Sequence, residues 1–455
     1  MPIYANDTRF VREDDAATIQ AAIDYAAAQG IGRVIIPRYT AGGRSLWQIP
    51  RAILLPSAMT VILQDCHLRM ADGVRENMFR NQNAYTPLGN TLEGEQSDIR
   101  LIGEGCALLD GGEPNGLCEQ LHRDDPQRYP SMFVNLTVLF HNVRNFEVRG
   151  ITFRDCRYWA VCFTFCRFGR VADLHMQMRG TLENQDGVDL RIGCEYITVE
   201  NITGLTGDDT VALTALPGKS RNQGELTVAG KSIDIHDVTV RNITSATHGC
   251  GIVRLLNANG ARLYNVTVSD IVDTGEAVST AAVLVGTTDP MLLKDHPHRM
   301  GEFENVVIRN VFTHAQRGLN LAGCCRNLTI ENVIAQHDCN VGVRFCQNFA
   351  ADNVLLRNFV YQADADHADC VFCCDCAPEG LEDLTVERVK ATAAKYTFRG
   401  AEFPIQNAAF STPLAGFLTK EPLSLPSAYG RYHKFFYGKL ITNRPADNRF
   451  DGTLK

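Results

Sequence analysis

Three carboxylates and a histidine carry the chemistry open to this sequence. Asp186 stands in NQDGVDL (Asn184–Leu190), Asp208 and Asp209 in GDDTVAL (Gly207–Leu213), and His248 in THGCG (Thr247–Gly251). Each acidic motif runs into alternating apolar residues: Val188, Leu190 and Ile192 after the first, Val211 and Leu213 after the pair. Such alternation marks a strand with one buried face. Successive runs that stack as neighbouring strands bring the three acids onto one surface. Crowded carboxylates repel, which keeps one of them protonated to higher pH than an isolated acid. Hydrolysis of a glycosidic bond needs that combination, one acid to protonate the leaving oxygen and a carboxylate to activate water. Asp and Asn are also ordinary corner residues of coiled strands, and Asp189 and Asp237 read as corners.

The elements that would position these residues form a repeat. A short pattern, apolar, any residue, Asn/Asp/Gly, apolar, recurs at Val148–Ile151, Val199–Ile202, Val240–Ile243, Val268–Ile271, Ile308–Val311, Ile330–Val333 and Leu356–Phe359, with degenerate copies near Leu174 and Val386. Most steps between copies are 22 to 30 residues, and two are longer, 41 from Val199 to Val240 and 40 from Val268 to Ile308. A unit this short cannot bury its apolar face alone, so stacked units must share a continuous core. Each unit has a second strand after its corner, at Trp159–Cys166, Gly187–Gly193, Thr210–Ala215, Cys250–Leu256, Ala281–Val285, Gly318–Gly323, Val341–Cys346 and Cys370–Cys376. The reading is all-β, a single-domain parallel β-helix over residues 1–455. A helix at about 14–30 caps the N-terminal end, coils fill about 31–390, and an irregular segment of about 391–455 follows. In the helix, Asp15 is the cap, Ile19, Ile23 and Ala26 recur at helical spacing, and Gly30 stops it.

Composition narrows the function. With 45% hydrophobic and 21% charged residues, the 455-residue chain can bury a large core. A net charge of -8 argues against a nucleic-acid partner, and no run approaches the roughly 18 apolar residues of a membrane span. The opening MPIYANDTRF shows no secretory leader, so a cytoplasmic location is expected. The sixteen cysteines then read as free thiols. Cys370, Cys373, Cys374 and Cys376, near His367, include a spacing that suits zinc, but no second well-spaced pair completes a site. They read as strand fillers, and no metal or other cofactor is expected.

In order and spacing, these motifs resemble glycoside hydrolase family 28, the polygalacturonase-like right-handed parallel β-helix (pectin-lyase-like) enzymes. NQDGVDL resembles the family's NTDG motif with Gln185 for Thr, GDDTVAL its GDD motif, and THGCG its GHG motif with Thr247 for the first Gly. Upstream, DDAATIQAAID, GEGCALLDGG (Gly103–Gly112) and FHNVRNFEVRGITFRDCRYWAV (Phe140–Val161) are similar to its N-terminal helix, glycine-rich turn and tryptophan-bearing coil. The resemblance runs from about Asp14 to Leu256. It implies an inverting glycosidase for pectic or related oligosaccharides, with Asp208 as general acid, Asp186 and Asp209 activating water, and His248 keeping Asp208 oriented and protonated. Asn184 and Gln185 would orient the sugar or the acids. Trp159 would be a stacking platform for a sugar ring or a buried aromatic.

The family's Arg-x-Lys pair on the coil after its histidine is missing, since that coil reads TGEAVSTAAVLVG. Arg254, Arg317, Arg344 and Lys219 are the cations that can take its place, and Arg254 and Arg317 are assigned to the substrate. A cytoplasmic enzyme would meet imported oligosaccharides, which favours trimming from a chain end, with the insertions 216–231 and 289–304 closing the groove. Two other readings stand beside this one: a β-helix polysaccharide lyase using calcium, and a non-catalytic carbohydrate-binding coil. Oligomeric state is not legible.

Overall fold

The structure is a computed structural model that describes residues 2–117, 125, 127–128, 133–182, 184–216, 226–293, 296–346, 348–374, 384–391, 394, 396–400, 408–410, 422–424, 435–437 and 449–450. They form two compact units, one of Met1–Ala212 with Pro217–Val238, the other of Leu213–Leu216 with Thr239–Lys455. Strands dominate both units, and the expected parallel β-helix coils are what each contains.

The first unit opens with the expected helix, Asp15–Ala28. Its cap is Asp14, not Asp15, because the Asp14 carboxylate accepts the Ala17 N–H at 2.8 Å. Asp15 is turned to another task, accepting from Arg44 at 2.6 Å and from the Gln48 N–H at 2.7 Å, which ties the helix to the first coil. Ala16, Ile19, Ala22, Ile23 and Ala26 are buried, so this face closes the apolar end of the coils. Gly30 follows with φ +66°, where a Cβ would be strained.

Coils after the helix stack in parallel register. One sheet runs through Gln96–Glu104, Val143–Arg149, Arg167–Gln177 and Glu195–Thr206, and the other through Ile53–Leu55, Phe79–Asn81, Val138–His141, Val161–Thr164 and Val188–Arg191. Between them lie Phe140, Phe146 and Phe163, with the rings of Phe146 and Phe163 stacked at 4.6 Å. Across the sheet edge Glu95 accepts from Arg167 at 2.9 and 3.0 Å and from Lys231 at 2.6 Å. Burial alone would raise the Glu95 pKa, but the hydrogen bonds from Arg167 and Lys231 outweigh it and hold the carboxyl below its ordinary value.

The second unit repeats this plan. Leu263–Asp273, Phe303–Thr313, Cys324–His337, Ala350–Ala363 and Leu384–Ala391 form one parallel sheet, and Gly251–Asn257, Ala281–Val285, Arg317–Leu321, Val341–Phe345, Cys370–Cys374 and Tyr396–Gly400 the other.

The recurrent Asn of the sequence pattern builds ladders up this unit. Asn305 donates to Asn265, Asn327 to Asn305 and Asn353 to Asn327, each at 2.9 to 3.0 Å. A second ladder runs from Asn358 through Asn332 and Asn310 to Asp270 at 2.8 to 2.9 Å. All eight residues hold a left-handed φ of 55 to 60°, which Asn and Asp tolerate better than other side chains. In the first unit the column that starts with Asp98 and Asn145 continues as Phe168 and Tyr196, also left-handed. Their rings stack at 5.1 Å and 8°, so an aromatic pair replaces the amide chain at these two rungs.

Most of the segment read as irregular, about 391–455, lies outside the described residues. Within it the described strand Pro422–Ser424 pairs antiparallel with Phe435–Tyr437.

Candidate active site

After strand Thr152–Arg154 the chain turns before entering Val161–Thr164, and later coils repeat this turn. The Ala160 N–H donates to the Asp186 carbonyl at 2.9 Å and the Val161 N–H to Gly187 at 3.0 Å, in a register that sets Val161 opposite Val188. One coil further, the Gly187 and Val188 N–H groups donate to Asp209 at 2.9 Å and Thr210 at 3.0 Å. The same offset therefore stacks Trp159 on Asp186 and Asp186 on Asp209, with rungs about 4.8 Å apart. The convergence of acids expected from the motifs is present in the first unit.

The acids are desolvated: Asp186 is 5% exposed, Asp208 7% and Asp209 3%. Their turn is rigidly held. Asp208 Oδ1 accepts the Asp209 N–H at 2.9 Å, and the Thr206 hydroxyl donates to the Asp208 carbonyl at 2.7 Å. Gln185 bolts three turns together: its carbonyl accepts the N–H groups of Gly207 at 3.0 Å and Asp208 at 3.4 Å, and its amide donates to the Cys156 carbonyl at 2.8 Å. A Cβ on Gly207 would lie 2.7 Å from the Gln185 Cβ, so the first residue of GDD has to be glycine. At 1% exposure Gln185 faces the acid turn, while Asn184 at the left-handed corner (φ +57°) is half-buried.

Trp159 is 5% exposed. Its ring packs 4.8 Å from that of Tyr158 in an apolar cluster with Leu117, Leu136, Leu139, Cys162 and Leu226. The Arg191 guanidinium lies over the ring, 4.7 Å from its centroid. Sequence reading missed Arg191; its signal was the strand alternation, which puts Asp189 and Arg191 opposite to Val188 and Leu190. Asp189 is likewise not a corner residue. It sits within strand Val188–Arg191, buried and in register with Cys162.

In the second unit the THGCG turn is fixed by hydroxyls. Thr247 Oγ1 accepts the Cys250 N–H at 3.0 Å, Ser279 Oγ accepts the Thr247 N–H at 3.1 Å, and the Thr280 hydroxyl donates to the Gly249 carbonyl at 2.6 Å. His248 is exposed on this turn. Arg254 donates from Nη2 to Cys250 Sγ at 2.8 Å. Arg317 starts strand Arg317–Leu321, is buried, and lies opposite Ala281 and Val341.

Lys219 and Cys376 lie outside the described residues, and Cys370 and Cys373 are buried free thiols. No helix among the described residues is long and apolar enough to cross a membrane.

The insertion 289–304, expected to close a groove, contains the short helix Pro290–Leu293, with Leu292 packed on Leu216, Leu256 and Ala258. Its far end is locked by Glu302, which accepts from His296 at 3.0 Å, His298 at 3.2 Å and Asn257 at 3.1 Å. Burial would raise the Glu302 pKa, but the bonds from His298 and His296 prevail and hold it below its ordinary value.

The chain matches the family described as Glycosyl hydrolases family 28 over residues 123–221, the segment that holds Trp159 and all three acids. No curated protein matches it significantly. Among solved structures it is similar to a Family 28 exopolygalacturonase of Yersinia enterocolitica at 14% identity, covering 91% of this chain and 79% of that one with a TM-score of 0.52. The A-module of a mannuronan C-5 epimerase of Azotobacter vinelandii gives 13% identity, 90% and 100% coverage and a TM-score of 0.52. A tailspike protein of an E. coli bacteriophage, solved with a pentasaccharide, gives 14%, 86% and 72%, and 0.50. At these identities the likeness shows the fold, a right-handed parallel β-helix.

Proposed function

We propose that the protein hydrolyses pectic or related oligosaccharides with inversion at the anomeric carbon, releasing sugars from a chain end. The observation that carries this reading is the stacking of Asp186 on Asp209, with Asp208 next in the chain and all three desolvated. Asp208 is the proton donor. Its Oδ1 accepts the Asp209 N–H, which holds the carboxyl in place on the turn. Asp186 and Asp209, one rung apart, hold the attacking water and take its proton. Inversion requires room for that water, about 6.5 to 9.5 Å between donor and base.

Attack from the face opposite the leaving oxygen then fixes the product configuration. Chain-end action is tested by the size of the first sugars released. The test is reducing-sugar release from a panel of charged and neutral pectic oligosaccharides, with and without EDTA, by wild type and Asp208→Asn. Chelator-resistant release of one or two sugars at a time, lost in the variant, supports the reading. An unsaturated, calcium-dependent product would contradict it.

A further inference from the structure

Two residues past the second left-handed corner of a coil, one side chain points outward, and the two units fill this row differently. In the first unit the corners are Gly150, Asp173 and Asn201, and the row reads Thr152, His175, Thr203, each directly opposite the next. In the second unit the corners are Asp270, Asn310, Asn332 and Asn358, and the row reads Val272, Phe312, Ile334, Val360. The residues just before these four, Ile271, Val311, Val333 and Phe359, are buried, so strand alternation turns the row outward.

Val272 is 40% exposed and Ile334 37%, while Phe312 and Val360 are half-buried. On the next rung the row ends in Lys390. Three steps of about 4.8 Å make the apolar part a stripe roughly 14 Å long. The Asn ladder borders it on one side, and His314, Gln336 and Gln362 follow on the other. Single exposed apolar residues need no partner, but a continuous stripe with a polar rim marks a contact surface.

The path of the chain beyond the stripe points to what covers it. Strand Ala408–Phe410 lies one rung beyond Leu384–Ala391 and parallel to it, with Ala409 opposite Thr385 and Phe410 opposite Val386. In Leu384–Ala391 the chain runs from Thr385 to Lys390, so past Phe410 it heads for the same side of the coil as the stripe. Strand Arg449–Phe450 pairs antiparallel with Ala408 and Ala409, and so arrives from that side. Residues 411–448 therefore leave and return at the Lys390 end of the stripe.

This length of chain is ample. Val272 lies five rungs from Ala408–Phe410, about 24 Å, whereas residues 411–424 alone can span about 45 Å. Twelve of the residues 411–448 are Leu, Ile, Phe or Tyr, enough apolar surface to meet four exposed side chains. We infer that Val272, Phe312, Ile334 and Val360 form a docking surface for the chain's own segment 411–448. The polar row of the first unit needs no such cover.

The experiment uses the full chain with p-benzoylphenylalanine in place of Ile334, irradiated, digested and mapped by mass spectrometry. Cross-links from position 334 to residues 411–448 of the same chain are expected. Cross-links between two chains would assign the stripe to a second copy, and the absence of any link to 411–448 would leave it bare; either result overturns the inference.

Trypsin treatment of the native full chain gives a second readout. Cutting after Arg431, Lys434 and Lys439 should be slow in wild type and about tenfold faster in Ile334→Asp, while circular dichroism keeps the signal of the coils. Equal cutting in both would contradict the docking. If Ile334→Asp does not fold, Val272→Asp, at the far end of the stripe, supplies the same comparison.

Discussion

Two kinds of column climb these coils, and both are built from the same short polar residues. In the ladder column each Asn side chain donates upward and accepts from below, from Asn353 through Asn327 and Asn305 to Asn265. In the acid column Asp186 stands on Asp209 with Asp208 beside it, all three buried. An amide has both donor and acceptor, so a stack of amides satisfies itself; an ionised carboxylate only accepts, so a stack of carboxylates does not. The ladder stabilises the fold at every rung. The acid column places three buried carboxylates where they repel one another, and its geometry makes sense as chemistry.

Breaking each column should therefore have opposite consequences. Asp208→Asn should cut kcat by about 10² to 10⁴-fold, the usual contribution of a positioned proton donor, with thermal stability unchanged or higher, as kinetics and calorimetry on one preparation would show. Asp186→Asn should lower kcat on a similar scale and raise stability by relieving repulsion with Asp209. A drop in stability would show that the acids hold the fold together.

Asn332→Ala is the counterpart. It removes the bond to Asn310 and the bond from Asn358, and puts Ala at a left-handed φ of 57°. A loss of about 1 to 3 kcal/mol is expected from denaturant titration, with kcat little changed. His248→Asn sharpens the contrast, since His248 is an exposed residue on a hydroxyl-fixed turn. A fall in kcat of roughly tenfold or more with an altered pH profile and no change in melting would place it with the acids.

The smallest effect concerns the insertion lock. Glu302 is held below its ordinary value, so its folded pKa lies under its unfolded one. Its contribution to stability is fully present above the unfolded value, near 4.5, and is lost as pH falls through the lower folded value. Hydrogen exchange of residues 296–302 should therefore quicken in that acidic window, and Glu302→Gln should flatten the dependence.

Much of this was legible in sequence because coil physics is local. The apolar-x-Asn-apolar pattern specified corner, strand and stacking together, and the second strands begin within two residues of where the alternation set them. The acids were legible because each precedes its strand by a fixed offset. The packing of Arg191 on Trp159 was not, because alternation shows which face a residue takes but not its neighbour on the next coil, which depends on coil lengths that vary from step to step. The Glu302 lock was hidden for another reason. His296, His298 and Glu302 meet through a loop whose path the 3.6-residue and two-residue periods do not constrain, and their partner Asn257 is a strand end far away in sequence. Asp14 and Asp15 show the limit at a single residue: both are good caps, and the tie from Asp15 to Arg44 and Gln48 decides which one serves.

The central claim is that the acid column performs direct displacement by water. Its most direct test is the anomeric configuration of the newly released sugar, followed by NMR in the first moments of hydrolysis of a pectic oligosaccharide, before mutarotation. The account predicts inversion relative to the bond cleaved, abolished in Asp208→Asn. Retention of configuration, or an unsaturated product in place of a reducing sugar, would contradict it.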